Sequence, residues 1–395
     1  MDARTPTPDV SALPRPALRL LPLVAIVCLG FLCIGLPLPV LPVYVHEELG
    51  FGTVTAGWVV GIQSLATILT RRTAGRIVDG RGAKRAVLVG LPLAALAGLF
   101  YLAATLLSGT PALAVLLLGR LLLGLAESLF LTGTMAWGIA RVGPLRTGMV
   151  MAWQGIAMFV ALGAGAPLGL WVMGWAGFRG VALVTLVLPL LALAVALLLP
   201  AVPASGTGGR RVSFAGVIGL IWRQGLALAL ASVPFAVLGG FIALFYGSQG
   251  WSRAGLAMSG FAAGYIVVRL FLAHLPDRMG GRTVGIVSVV IEIFGQLLLW
   301  LAPNAGVALL GATVTGIGFS LVFPALGIEA VRRVPPESRG LAVGAFLAFV
   351  DVANGLTGPL AGALAALAGY PALFLAGAVT CLAALGLMLT GWRAE

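Results

Sequence analysis

The chain has 395 residues, of which 60% are hydrophobic and only 9% charged, and its mean hydropathy is +1.10. Soluble domains carry roughly 25% charged residues, so a water-soluble fold of this length could not cover itself, and nearly the whole chain belongs in lipid. The formal net charge of +12 does not mark a nucleic-acid binder, because the basic residues fall in short clusters between apolar runs, as charged loops on a bilayer do.

The first sixteen residues, MDARTPTPDVSALPRP, are polar and rich in Pro. They read as a cytosolic tail, because the apolar run behind them is longer than a signal-peptide core and has no small-residue cleavage site. A membrane helix needs about 20 mostly apolar residues. Cutting the rest at charged and Gly/Pro breaks predicts twelve spans: 17–44, 54–73, 84–107, 111–138, 147–175, 180–200, 214–246, 255–275, 283–302, 305–331, 340–368 and 371–392. The runs are too long for membrane strands and lack alternation. The expected class is an all-α integral membrane protein, with twelve transmembrane helices in two pseudo-symmetric six-helix bundles.

Twelve spans put both termini on one side, and the distribution of basic residues decides which. Arg71, Arg72, Arg76, Arg81, Lys84 and Arg85 lie near the second connection, Arg141 and Arg146 at the fourth, and Arg210 and Arg211 at the sixth. Arg278 and Arg282 lie at the eighth, and Arg332, Arg333 and Arg339 at the tenth. The odd connections carry only Arg179 and Arg253, besides the acidic pair Glu47 and Glu48. Both termini are therefore expected in the cytosol, with the chain multi-pass in a bacterial inner membrane. The Pro/Gly/Ser-rich stretch 201–213 reads as a flexible cytosolic linker between bundles at 17–200 and 214–392.

Internal repetition supports that division. GRIVDGRGAKR (Gly75–Arg85) follows the second span and AHLPDRMGGR (Ala273–Arg282) follows the eighth; Asp79 and Asp277 are 198 residues apart, as are Arg71 and Arg269. Late in the halves GAGAPLG (Gly163–Gly169) answers GLTGPLAG (Gly355–Gly362), with Pro167 and Pro359 separated by 192 residues. Repeated halves of like orientation are a transporter architecture with the substrate site between them.

Gly75, Asp79, Gly82, Lys84 and Arg85, with Asp277, Arg278, Gly280 and Arg282 in the second copy, form a candidate latch. A carboxylate at a helix end can pair with basic groups or a helix N-terminus of the other half, and the pair must break for a second conformation to form. The plainer role of these cations is to keep the loop inside.

In the fourth span, LLLGRLLLGLAESLF (Leu116–Phe130) sets Arg120 and Glu127 in a greasy run. A charge at mid-bilayer is costly, so both are expected to face a protein or water-filled interior. They share nearly one helix face but stand about 10 Å apart along the axis, too far for a direct ion pair. Burial penalises a carboxylate's charge and a neighbouring guanidinium favours it, so Glu127 can be poised for proton exchange; a static polar tie that locks helices together is its plainer role. Asp351, in FVDVANGLTGP, is the second such candidate, with Asn354 one turn away; an Asp–Asn hydrogen bond that merely fixes the helix is the plainer role. Glu292 lies mid-span in the ninth, and Arg269 is near enough to a span end to snorkel.

The small residues and prolines Gly163, Pro167, Gly169, Gly355, Gly358, Pro359 and Gly362 permit close helix approach and bending, and are candidate hinge or interface positions. Gln63, Thr132, Thr134, Trp137, Phe235, Tyr246, Ser320, Phe323 and Asn354 are candidate substrate contacts, since aromatics with scattered hydroxyls and amides suit a mid-sized amphiphile. His46 reads as interfacial, and His274 has no evident partner. Cys28, Cys33 and Cys381 lie in apolar runs without metal-ligand spacing, and no phosphate-cradling GxxxxGK[ST] or catalytic triad pattern occurs. No cofactor, metal or enzymatic activity is expected.

Over essentially its whole length the chain resembles the major facilitator superfamily. The resemblance is nearest to its twelve-span drug:proton antiporter branch, and sugar-efflux-like bacterial exporters are also similar. It rests on the GRIVDGRGAKR motif, on Arg120 with Gly124 in the fourth span, and on the Gly/Pro pattern of the eleventh. The chain departs from the family pattern where Gly80 stands in place of Arg, where Ala273 replaces a leading Gly, and where Ala166 and Leu170 interrupt the fifth-span motif. The resemblance implies that spans 1, 4, 7 and 10 line a central cavity, that 5 and 11 lie between the halves, and that 3, 6, 9 and 12, hence Glu292, are peripheral. It implies a functional role for Arg120 and a monomeric, proton-coupled exporter of a small molecule. A uniporter or uptake symporter is the nearest alternative. A non-transporting receptor or lipid-handling protein on the same scaffold is an alternative of another class.

Overall fold

The computed structural model describes residues 16–143, 146–202, 214–335 and 339–390. The N-terminal tail through residue 15, most of the linker with Arg210 and Arg211, and the side chain of Asp277 lie outside the described residues. Among the described residues there is no strand, and eleven helices are long and apolar enough to cross a bilayer. Helices are the natural answer to these sequences, because lipid offers no partner to an unpaired peptide group.

The first crossing is not one helix. It comprises α1 (Pro16–Gly35), a turn, α2 (Val40–Val43) and a π-helical turn over Tyr44–Glu48. Pro37, Pro39 and Pro42 lie in this stretch; each removes a donor and crowds the preceding turn, so the expected continuous span is interrupted. Then follow α3 (Thr53–Arg81), α4 (Ala83–Ala104), α5 (Gly109–Val142) and α6 (Thr147–Leu198). With 52 residues α6 would run about 78 Å, more than twice the hydrocarbon thickness. It is broken at Gly177, whose φ of 62° and ψ of −168° reverse the chain, so it makes two crossings. That accounts for the predicted fifth and sixth spans, and for twelve crossings from eleven helices.

The second half runs through α7 (Phe214–Ser248), α8 (Gly255–Leu272), the short α9 (Leu275–Met279), α10 (Gly281–Trp300), α11 (Ala305–Arg332), α12 (Arg339–Ala368) and α13 (Pro371–Thr390). α1 begins and α13 ends at the same side of the bundle, here termed the termini end. Lys84 Nζ donates to the carbonyl oxygens of Leu197 and Leu199, and Arg282 donates from Nη2 to Leu389 O at 2.9 Å and from Nε to Met388 O at 3.2 Å. Each half thus has a cation from its first loop motif on the closing carbonyls of its last helix, favourable against both the orphan acceptors and the helix dipole.

At the opposite end the two halves meet through small residues. A Cβ on Gly57 would strike the Gly358 carbonyl, one on Gly61 the Gly355 carbonyl, and one on Gly362 the Thr53 carbonyl, so α3 and α12 are in backbone contact. Thr53 Oγ1 donates to Gly362 O at 2.7 Å. Gly163 of α6 abuts Ala262 of α8, Pro167 abuts Gly255, and Ser259 Oγ donates to Gly163 O at 2.7 Å. Leu38, in the broken first crossing, lies against Gly239 of α7. Gly169 lies instead on the Leu36 backbone, within its own half.

Candidate functional site

α3 presents Gln63, Thr67 and Arg71 at four-residue intervals, one above the other on a single face. Gly124 of α5, where a Cβ would collide with the Gln63 carbonyl, brings Glu127 against that face. Gln63 Nε2 donates to Glu127 Oε2 at 2.8 Å, and Thr67 Oγ1 lies 3.3 Å from the same oxygen. The Thr67 hydroxyl also has the carbonyls of Gln63 (3.0 Å) and Gly124 (3.1 Å) in reach. It has one proton to give, so it can serve the carboxylate or the backbone. Eight residues beyond Gln63, Arg71 Nε donates to Asp351 Oδ2 at 2.8 Å across the two halves. The two side chains are 16% and 12% exposed, so this ion pair is largely withdrawn from solvent. One face of α3 thereby joins a carboxylate of its own half to a carboxylate of the other.

Arg120 is turned into the protein interior. It is 1% exposed and lines no opening. Nε donates to Val59 O at 2.8 Å and Nη2 to Val60 O at 2.9 Å, on the turn of α3 just before Gln63. The cost of burying its charge is offset by backbone carbonyls, a solution invisible in the sequence. It forms no ion pair with Glu127; the guanidinium that meets a membrane carboxylate is Arg71, which the sequence flags only by its 198-residue offset from Arg269. Asp351 does not bond Asn354, whose Oδ1 is buried without a hydrogen-bond partner among the described residues. Glu292 is wholly buried among α10, α11 and α13, away from this face.

The remaining candidates divide. Phe235 joins Phe159, Phe261, Tyr265 and Phe319 in an aromatic cluster that spans the halves, with Phe159 and Tyr265 stacked at 3.7 Å between centroids. Phe323 packs on Phe346, and Thr132 is half-buried on α5. Four residues are turned elsewhere. Trp137 is wholly buried and donates Nε1 to Pro200 O at 3.1 Å, tying down the end of α6. Tyr246 donates to Ala305 O at 3.1 Å, Ser320 to Tyr265 O at 2.8 Å, and Thr134 to Phe130 O at 2.8 Å, so their hydroxyl protons serve the backbone.

In the loop motifs, Gly82 and Gly280 have φ of 93° and 85°, the left-handed region that Gly adopts without strain, and they turn the chain into α4 and α10. Asp79 is exposed and makes no ion pair among the described residues. Arg85 and Arg278 are exposed as well, and Gly75 has no close neighbour.

The family model described as Major Facilitator Superfamily matches residues 23–254 and 247–394. The chain belongs to the major facilitator superfamily. An uncharacterized MFS-type transporter of Pseudomonas aeruginosa is 45% identical over 386 residues, covering 97% of this chain and 94% of the relative. YhhS of Salmonella typhimurium, also described as an uncharacterized MFS-type transporter, is 43% identical over 378 residues, covering 95% and 92%. The fold is similar to that of a point mutant of the nucleoside transporter NupG, with a TM-score of 0.76 at 16% identity, covering 95% of this chain and all of that one. It is similar too to the human organic anion transporter MFSD10, with a TM-score of 0.70 at 18% identity and 95% coverage of this chain. The protein is an MFS transporter, a multi-pass membrane protein and not an enzyme.

Proposed function

We propose that this MFS transporter is a secondary active exporter that moves a small amphiphilic or polar organic compound outward as protons move inward. The observation that carries the reading is the α3 face that joins Glu127 to the cross-half pair Arg71–Asp351. Deprotonated, Asp351 holds α12 to α3 through Arg71. Protonation neutralises it, removes the charge that Arg71 answers, and frees the two halves to rock. Glu127 exchanges a proton on the other side of the same face, and Thr67 turns its hydroxyl to the backbone when the carboxylate no longer needs it. Arg120 positions Gln63 from behind. Asn354, one turn from Asp351 with a free acceptor, and the half-buried Thr132 and Phe235 face the cargo.

With both termini in the cytosol of a bacterial cell, the end sealed by the α3–α12 and α6–α8 contacts faces outward and the conformation is inward-facing. The solvent-exposed Asp79 agrees with a latch that engages in the opposite conformation. The halves at 17–200 and 214–392 move about the Gly/Pro segments of α6 and α12, and the protein works as a monomer in the inner membrane.

The test is substrate movement in inverted vesicles under an imposed pH gradient, with Asp351→Asn and Glu127→Gln as comparisons. Export predicts accumulation that needs the gradient and is lost in Asp351→Asn. Entry that is indifferent to the gradient and stops at equilibration identifies a uniporter, and accumulation driven by the reversed gradient an uptake symporter; either sinks the proposal.

A further inference from the structure

Arg71 has a twin. Arg269 stands 198 residues later on α8, and Tyr265 stands where Thr67 does. Arg71 crosses to α12 of the other half and meets Asp351. By the same repeat Arg269 faces α6, which holds the place of α12. Shifted by the two offsets of the repeat, 198 and 192, Asp351 falls on the stretch Trp153–Phe159, which includes Gly155, and α6 carries no acidic residue at all. Only two ion pairs form among the described residues, Arg71–Asp351 and Arg332–Glu329, and neither involves Arg269.

Arg269 is held instead against its own helix. Its Nη2 donates to Tyr265 Oη at 2.9 Å, and its guanidinium lies 5.4 Å from the centre of that ring, one turn deeper in the bundle. Its Nε is buried and has no acceptor. Across the half interface there is room: a Cβ built on Gly155 would have only Arg269 Nη2 nearby, at 4.0 Å. Beside this space stands the aromatic cluster of Phe159, Tyr265, Phe235 and Phe319. A cation with a buried, unanswered donor at the line of contact between two moving halves is incomplete as a structural element, since an unmet charged donor is costly. The matching missing group is an anion with an apolar, planar body.

We propose that Arg269, Tyr265 and the adjoining Phe rings bind an organic anion, whose carboxylate or phosphonate takes beside Arg269 the place that Asp351 takes beside Arg71. The assignment rests on the transport reading above and narrows its cargo to aromatic or planar organic anions. Arg71 is neutralised from within the protein, whereas Arg269 is neutralised by cargo, so loading brings α8 and α6 together as the internal pair holds α3 and α12.

The test uses the full chain in detergent, with phenylphosphonate and 2-naphthoate as probes and benzamide and benzylammonium as neutral and cationic controls. Binding is read by thermal shift and by calorimetry for the wild type, Arg269→Gln and Gly155→Asp. The expected result is stabilisation by at least one anion and by neither control, with Kd raised about 10- to 100-fold in Arg269→Gln. Gly155→Asp fills the open space with an internal partner; it is expected to remain folded and to lose anion binding, which keeps the test decisive should Arg269→Gln fold poorly. Failure of both anions to bind selectively, or anion binding that survives either variant, overturns the assignment. Proteoliposome flux separates this from the transport reading. Selective binding without pH-driven flux leaves the anion site standing and sinks proton-coupled export; pH-driven flux of another compound, unaltered in Arg269→Gln, does the reverse.

Discussion

Replacing Gly358 with Ala tests whether the α3–α12 contact is a seal that must open. A Cβ at this position meets the Gly57 carbonyl, the Gly61 nitrogen and the Gly57 carbonyl carbon, all backbone atoms that cannot rotate aside. Relief therefore requires the two helices to part. Forcing a methyl into a packed contact costs about 1–3 kcal/mol. If the helices separate here in the alternate conformation, the cost falls on the sealed state alone. The ratio of sealed to open molecules then drops about 5- to 150-fold. The assay is modification of Leu38→Cys, beside Gly239 at the same end, by a membrane-impermeant maleimide, in a background where Cys28, Cys33 and Cys381 are replaced. Labelling is expected to accelerate by about the same factor, at least about fivefold, in Gly358→Ala. Gly344→Ala, on the same helix with open space around it, should leave the rate unchanged. A lower melting temperature with unaltered labelling would refute the reasoning and reduce the glycine contact to ordinary packing.

Other perturbations separate structural from functional groups. Arg120→Ala leaves two α3 carbonyls without their charged donor and should destabilise by about 2–4 kcal/mol; Arg120→Lys should not restore it, because two acceptors on successive residues need the guanidinium fork. Thermal unfolding in detergent reads both. Lys84→Ala and Arg282→Ala each uncover the end of a closing helix and should cost about 0.5–1.5 kcal/mol, similar in the two halves, with conformational labelling unaffected. Trp137→Phe removes the bond to Pro200, trims a wholly buried ring and weakens the contact with Lys84, so it should lower the melting temperature and leave transport intact; a large loss of transport would return Trp137 to the substrate path.

The architecture is legible because the bilayer fixes helix length: apolar runs of the needed size cannot easily be anything else. Even the break at Gly177 follows from a run too long for one crossing, with Arg179 just beyond it. The interruption of the first span is written in Pro37, Pro39 and Pro42, yet hydropathy averages over them. The site is harder to read. Asp351 and Glu127 stand out as carboxylates in lipid, but the partner of Asp351 lies 280 residues away in the sequence, and no local pattern pairs it with Arg71. The cost of charge in lipid sends Arg120 inward, but its partners are not legible, because its acceptors are main-chain oxygens, which every helix has and no sequence displays. Composition alone assigns Trp137 to the cavity, while its direction is set by where the end of α6 docks. Thr67 carries no signal beyond its four-residue spacing from Gln63 and Arg71.

The most direct measurement of the central claim, that the charge on Asp351 locks the halves through Arg71, is Leu38→Cys labelling in proteoliposomes as pH is lowered from 8 to 5. Maleimide attacks the thiolate, whose share falls with pH, so each rate is divided by that of free cysteine at the same pH; on that scale wild-type protein is predicted to label several-fold faster at the acid end. Asp351→Asn, which carries the neutral side chain permanently, is predicted to label at that fast rate throughout. An Asp351→Asn protein that follows the wild-type pH curve would contradict the account.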